Sequence, residues 1–183
     1  MGHALARAAM RRGAAVTLVS GPVCSPAPKG ATVVSVTTAL EMRRETLKRL
    51  SRSDIFIAAA AVSDWRIASP ARRKLPKAAF GKTLRILPNP DIVAEAVKKR
   101  RGIKPLIAGF ALESHDWLVH AEAKLKRKGL DMIVANRLSS MGSTKTRFAV
   151  LDCEGGRRIF PTMTKARAAT AILRAIGERC ATN

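Results

Sequence analysis

The chain has no tyrosine, only five phenylalanines and two tryptophans. That scarcity excludes the base-stacking sheets and single-strand channels whose exposed rings do much of the binding. Three cysteines (Cys24, Cys153, Cys180) are widely scattered, odd in number and free of CxxC spacing. They fit reduced cytosolic thiols and neither a disulfide frame nor a zinc site. The three histidines (His3, His115, His120) show no metal-ligand spacing, and no Ser–His–Asp or Cys–His arrangement stands out. GxGxxG after a strand and GxxxxGK[ST] are both absent, which removes the usual dinucleotide and P-loop fingerprints. No apolar run approaches the roughly 20 residues that cross a bilayer, and no sustained apolar stretch follows the first positive charges, as a signal peptide requires.

Acidic residues are also few: 13 Asp+Glu against 34 Lys+Arg, a formal net charge of +21. A field of that sign favours polyanions, so nucleotides, nucleic acid and acidic lipid headgroups are the partners to weigh. The 183 residues, 47% hydrophobic and 26% charged, have the balance of one folded domain with an Ala/Val/Ile/Leu core.

Along the chain, strand and helix patterns alternate. A helix is expected from residue 2 to about 13, then strands at 14–20 and 31–36. Thr38 with Glu41 makes a capping box for a helix over 39–51. The run DIFIAAAAV (54–62) reads as a strand buried on both faces of a parallel sheet. From Trp65 to Thr83 runs a stretch with two prolines and six basic residues, read as a flexible basic lid over about 66–82. TLRILP (83–88) is a strand, with Asn89 as N-cap and Pro90 as first residue of a helix reaching about Arg101. PLIAGFAL (105–112) is a buried strand, followed by a helix over about 114–128 stopped by Gly129. A strand over 131–135, a hairpin of RFAVLD and RRIF around 153–156, and a helix over about 164–178 complete the order. The expected fold is a doubly wound, mostly parallel Rossmann-like α/β sheet with an antiparallel edge hairpin, in a single domain over 1–183.

Ligands in such sheets sit outside the carboxyl ends of the strands. DIFIAAAAV ends in small residues that allow tight helix packing, the better-supported reading from the residues alone, or let a flat ligand approach the backbone. Asp64, the only acid between Asp54 and Asp91, is either a solvated turn residue or a contact to a ligand hydroxyl or amine. Lys74 and Lys77 are solvated charges or cations that follow a phosphate into a closed site. The N–H groups at the start of the NPDIV helix suit an anion or a hydroxyl, and Asp91 favours the hydroxyl because it repels phosphate. In the next helix Trp117, Leu118, Ala121 and Leu125 form an apolar stripe, with Lys124 and Lys128 one turn apart on its edge. Those lysines either snorkel along the core or share a polyphosphate.

In this order and spacing, MGHALARAAMRRGAAVTLVSGPV, TALEM, AAAAVSDWR, the Lys74 loop, NPDIV, GFALES, the Lys124/Lys128 pair and KGLDMIVAN resemble the phosphopantothenate–cysteine ligases. These are the synthetase half of the coenzyme A biosynthetic flavoprotein. The resemblance covers nearly the whole chain. It implies a ligase that joins 4′-phosphopantothenate to cysteine through an acyl-cytidylate, with CTP and Mg²⁺, in a cytoplasmic homodimer beside or fused to a decarboxylase domain. It implies that Ala58, Ala59, Ala60, Asp64, Pro90, Asp91, Ile92, Val93 and Phe110 surround the nucleotide. Lys124 and Lys128 would hold its phosphates, and Lys74 would act on the intermediate. Family members begin earlier, with a strand and an Asn/Ser–Ser–Gly turn, so the resemblance implies a relative truncated before its first strand. The lid departs from the pattern at Arg73 and Pro76, Arg137 stands where an acid is common, and 142–146 also differ. Two other readings stand beside this one: a basic α/β protein that binds nucleic acid, and a catalytically inactive relative. Cations spread over the whole chain count against the first.

Overall fold

The computed structural model describes residues 1–71, 73–76, 83–140 and 142–181. The order is α1 (Gly2–Met10), β1 (Thr17–Ser20), β2 (Thr32–Ser35), α2 (Ala39–Leu50), β3 (Ile55–Ala58), β4 (Trp65–Ile67), β5 (Ile86–Pro88), α3 (Ile92–Lys99), β6 (Leu106–Glu113), α4 (Trp117–Lys128), β7 (Met132–Arg137), β8 (Lys145–Asp152), β9 (Arg157–Thr164) and α5 (Lys165–Ala181).

Five strands form the main sheet in the order β3-β6-β7-β8-β9. β3, β6 and β7 pair in parallel, and β8 and β9 add the expected antiparallel edge hairpin. Alternation along β7 shows why this sheet is covered on both faces. Met132 and Val134 join Leu106, Ala108 and Phe148 beneath α1 and α5. Ile133 and Ala135 join Ile107, Trp117, Ala121 and Leu125 beneath α4. Period-two alternation between two apolar layers produces the continuous apolar runs seen in the sequence.

Local signals explain several boundaries. The capping box of α2 forms as expected, with Thr38 Oγ1 accepting from Glu41 N and Glu41 Oε2 accepting from Thr38 N. Gly129 closes α4 at φ 63°, a conformation that an L-residue with a Cβ rarely adopts. In mid-β6, Gly109 lies where a Cβ would stand 2.7 Å from Leu130 Cδ1, so strand and neighbouring loop pack at glycine distance.

Three expectations are corrected. The strand expected at 54–62 ends at Ala58, and Ile55 is 38% exposed, because β3 is an edge strand of its sheet. WRI opens no featureless loop: Trp65, Arg66 and Ile67 pair antiparallel with Pro88, Leu87 and Ile86, so the basic segment rises from a short hairpin. α3 begins at Ile92, with Asp91 and not Asn89 as N-cap, and it ends at Lys99. β1 and β2 form their own parallel pair, hydrogen-bonded to no other strand among the described residues. Lys77 and the rest of 77–82, expected in the lid, lie outside the described residues.

Candidate functional site

Parallel pairing of β3 with β6 places Ala58, the last residue of β3, opposite Gly109, and β6 runs on past it to Glu113. Ala58 and Ala59 are half-buried and Ala60 is exposed. Ala59 lies under the start of α1, 4.0 Å from where a Cβ on Gly2 would be. From β6 comes Phe110, half-buried against the α1/α5 core.

The helix after β6 supplies the cations. α4 buries Trp117, Ala121 and Leu125 and leaves Lys124 and Lys128 at the edge of that stripe. Lys124 Nζ donates to the Phe110 carbonyl at 3.0 Å. Lys128 Nζ lies 2.8 Å from Asp91 Oδ2. These two contacts tie the end of β6, the edge of α4 and the start of α3 into one rim. Burial, then the neighbouring charges of Lys128 and Arg127, push the Lys124 ammonium below its ordinary pKa. An anion bound at this rim would offset those costs.

Asp91 is engaged twice. Its Oδ1 accepts from Ala94 N at 3.0 Å, and Lys128 holds the other oxygen. Burial opposes ionisation of this carboxyl, but the bonds from Lys128 and Ala94 N–H outweigh it, leaving the pKa below its usual 3.8. The Asp91 carboxylate therefore caps the start of α3 itself and is balanced by Lys128. Ile92 is buried and Val93 packs into the α4-side core, so they shape the rim without presenting side chains to a ligand. Asp91→Ala is expected to cost about 1–2 kcal/mol of stability, and Asp91→Ser less, because serine keeps the cap. Urea unfolding checks both. The ionised carboxylate stabilises the fold above pH 3.8, and that contribution is lost as pH falls through the lowered pKa. The Asp91→Ala and wild-type stabilities should therefore converge in acid and separate toward neutrality.

Asn89, freed from capping, knits the hairpin to this rim. Its N–H donates to Asp64 O at 2.7 Å and its Nδ2 to Ser63 O at 2.8 Å. Arg66 donates to Pro88 O and, at 3.4 Å, to Asn89 Oδ1. The structure thus draws together the backbone of Asp64, Pro90 with Asp91, Phe110, Lys124 and Lys128. Lys74 is exposed and makes no hydrogen bond or ion pair among the described residues.

Asn136, at the end of β7, is a candidate that the sequence pattern did not single out. It is 6% exposed, its Nδ2 donates to Thr146 Oγ1 at 2.7 Å, and its Oδ1 has no partner among the described residues. A buried amide oxygen left open is costly unless something donates to it. The sequence carried a faint sign: one polar residue ending the apolar run DMIVAN.

Residues 1–179 match the family described as the DNA/pantothenate metabolism flavoprotein C-terminal domain. The chain belongs to that family. Within it, the chain is 40% identical over 184 residues to the coenzyme A biosynthesis bifunctional protein CoaBC of Vibrio cholerae, covering 98% of this chain and 46% of that protein. It spans about half the length of the curated CoaBC proteins it matches. The crystal structure of a CoaBC C-terminal domain superposes with TM-score 0.84 at 27% identity, covering 100% of this chain and 83% of the other. A Cab2 variant solved in complex with phosphopantothenate-cysteine shares the fold, with TM-score 0.64 at 16% identity over 84% of this chain and 54% of that one.

Proposed function

We propose that this flavoprotein C-terminal domain is a CTP-dependent amide ligase of coenzyme A biosynthesis, joining 4′-phosphopantothenate to cysteine through an acyl-cytidylate. The observation that carries the reading is the rim where Lys124 and Lys128 meet Phe110, in the carboxyl half of β6, and the start of α3. Family membership and the Cab2 complex support the choice of substrates.

In the first step a pantothenate carboxylate oxygen bonds to the α-phosphorus of CTP and pyrophosphate leaves. The cysteine nitrogen then bonds to the acyl carbon, CMP departs and the amine loses a proton. Each approach brings anions together, so fixed cations lower the barrier by neutralising charge on the phosphates. Lys124 fits this role because it is half-buried and held by a carbonyl, not by a carboxylate. Lys128 fits a lesser share, since Asp91 already balances it.

Among the described residues no three His, Cys, Asp or Glu side chains gather into a metal site. Mg²⁺ is usually held by substrate phosphates and one or two carboxylates. Asp64, whose carboxylate no described residue binds, would be the protein's contribution, and the ion would supply charge neutralisation on the triphosphate. Exposed apolar side chains on the hairpin, Trp65 at 56%, Ile86 at 54% and Ile67 at 47%, support a homodimer with the Lys74 segment near its boundary. A decarboxylase domain, as in the longer CoaBC relatives, and a cytoplasmic location complete the proposal. No helix of the described residues is long and apolar enough to cross a membrane.

Lys74 tests the assignment. Lys74→Ala should lower the rate of product formation by about 100-fold, the scale of one lost electrostatic contact to the reacting groups, while CTP still binds. Acyl-cytidylate trapped by rapid quench and chromatography should accumulate. Wild-type turnover in that variant would remove Lys74 from the chemistry.

A further inference from the structure

Between the end of β6 and the first turn of α4, two histidines converge that the ligase chemistry does not use. The rings of His115 and His120 have centroids 5.2 Å apart and planes 79° apart. Both side chains are exposed, so packing against the core does not account for the approach. The turn joining them runs through Asp116, whose φ of 41° is the only positive value at a non-glycine position among the described residues. Such a conformation costs energy and folds His115 back toward the helix that carries His120.

Each ring has an oxygen near its Nδ1, one in a hydrogen bond and one at ion-pair distance. His115 Nδ1 is 2.8 Å from Ser114 Oγ, and His120 Nδ1 is 3.5 Å from Glu113 Oε2. The Ser114 hydroxyl orients the His115 ring, Glu113 lies near the His120 ring, and no described residue hydrogen-bonds to either Nε2. A carboxylate or hydroxyl behind the ring is the usual support for a metal-binding imidazole. Two imidazoles on one tetrahedral ion, with metal–nitrogen bonds of about 2.0–2.1 Å, place their ring centroids about 5 Å apart. The separation seen here equals that bite. The same edge-to-face separation is ordinary for packed rings, and metal binding is what separates the two readings.

We propose that His115 and His120 form a binding site for a borderline divalent transition ion of the zinc class, with Glu113 and Ser114 as the groups that orient the two rings. Among the described residues no group of three His, Cys, Asp or Glu side chains is placed to hold a metal ion, so in this proposal the two imidazoles are the protein's ligands and water completes the coordination. The ion bridges the 114–116 loop to α4 and pins the turn at Asp116. Imidazole nitrogen selects zinc, nickel, cobalt or copper over magnesium, so this site is separate in chemistry from any ion carried by a nucleotide triphosphate. It stands whether or not the ligase reading holds.

Titration of the chain with Co²⁺ and Zn²⁺ decides the matter. The expected result is one equivalent of Co²⁺ giving visible d–d bands without a cobalt–thiolate band, displaced by Zn²⁺, and a thermal midpoint that rises with Zn²⁺. His115→Ala and His120→Ala should each abolish that equivalent, and Glu113→Gln should weaken it about 10-fold. Binding that survives either histidine substitution, a thiolate band that assigns the ion to a cysteine, or no saturable binding at all would overturn the proposal.

Discussion

Lys124→Met should weaken CTP binding about 10- to 100-fold, measured by titration calorimetry with magnesium present. The figure follows from the roughly 1.5–3 kcal/mol that a hydrogen bond to a charged group contributes, at about 1.4 kcal/mol per tenfold. The side chain is half-buried and donates to Phe110 O, and both burial and Lys128 disfavour its charge in the empty site. A polyphosphate at the rim reverses both penalties, so Lys124 gains more from the ligand than an exposed lysine would. Lys128→Met should have a smaller effect, because Asp91 already neutralises Lys128. Asp91→Ala, though destabilising, frees Lys128 and should tighten CTP binding a few-fold. The opposite ranking of Lys124 and Lys128 would mean that the Asp91 contact breaks on binding and that Lys128 leads.

The largest loss of stability is expected at Asp131, the residue before β7. Its Oδ2 accepts from Ile107 N at 2.7 Å and pairs with Arg100, both charged side chains being only 18% exposed. Its backbone also bridges neighbours, accepting from Cys153 N at 3.0 Å and donating to Ile107 O at 3.1 Å. Asp131→Ala leaves a largely buried guanidinium without its counter-charge and a strand N–H without an acceptor. Breaking one side of such a pair costs about 3–5 kcal/mol, a large share of a stability of about 5–15 kcal/mol. The thermal midpoint should fall by about 10 °C. Asp131→Asn should recover part of that loss, because its carbonyl still accepts from Ile107 N. Equal losses in both variants would mean that the charge, and not the acceptor, carries the effect.

What was legible in the sequence was what is decided within a few residues. The Thr38/Glu41 box is a closed local circuit, and Gly129 ends α4 by its own backbone freedom. Lys124 and Lys128 could be placed beside the apolar stripe of α4 because helical spacing alone fixes that relation. What failed depended on distant partners. The pairing of Trp65–Ile67 with Ile86–Pro88 spans the whole basic segment, and strands of three residues leave no periodicity to read. Asn89 and Asp91 are both good N-caps. The choice fell to Asp91 because Ser63 O and Asp64 O claim Asn89 from across the hairpin. The exposure of Ile55 follows from its place at a sheet edge, which an apolar run cannot reveal. The Lys128–Asp91 pair likewise joins residues 37 positions apart, a contact that no local pattern reveals.

Pyrophosphate release with CTP, 4′-phosphopantothenate and magnesium, before any cysteine is added, tests the account most directly. The ligase reading predicts release that requires both organic substrates, is lost in Lys124→Met, and is followed by the phosphopantothenate–cysteine amide when cysteine is supplied. An absence of release beside an active relative run in parallel, or release that ignores the acyl substrate, would contradict it.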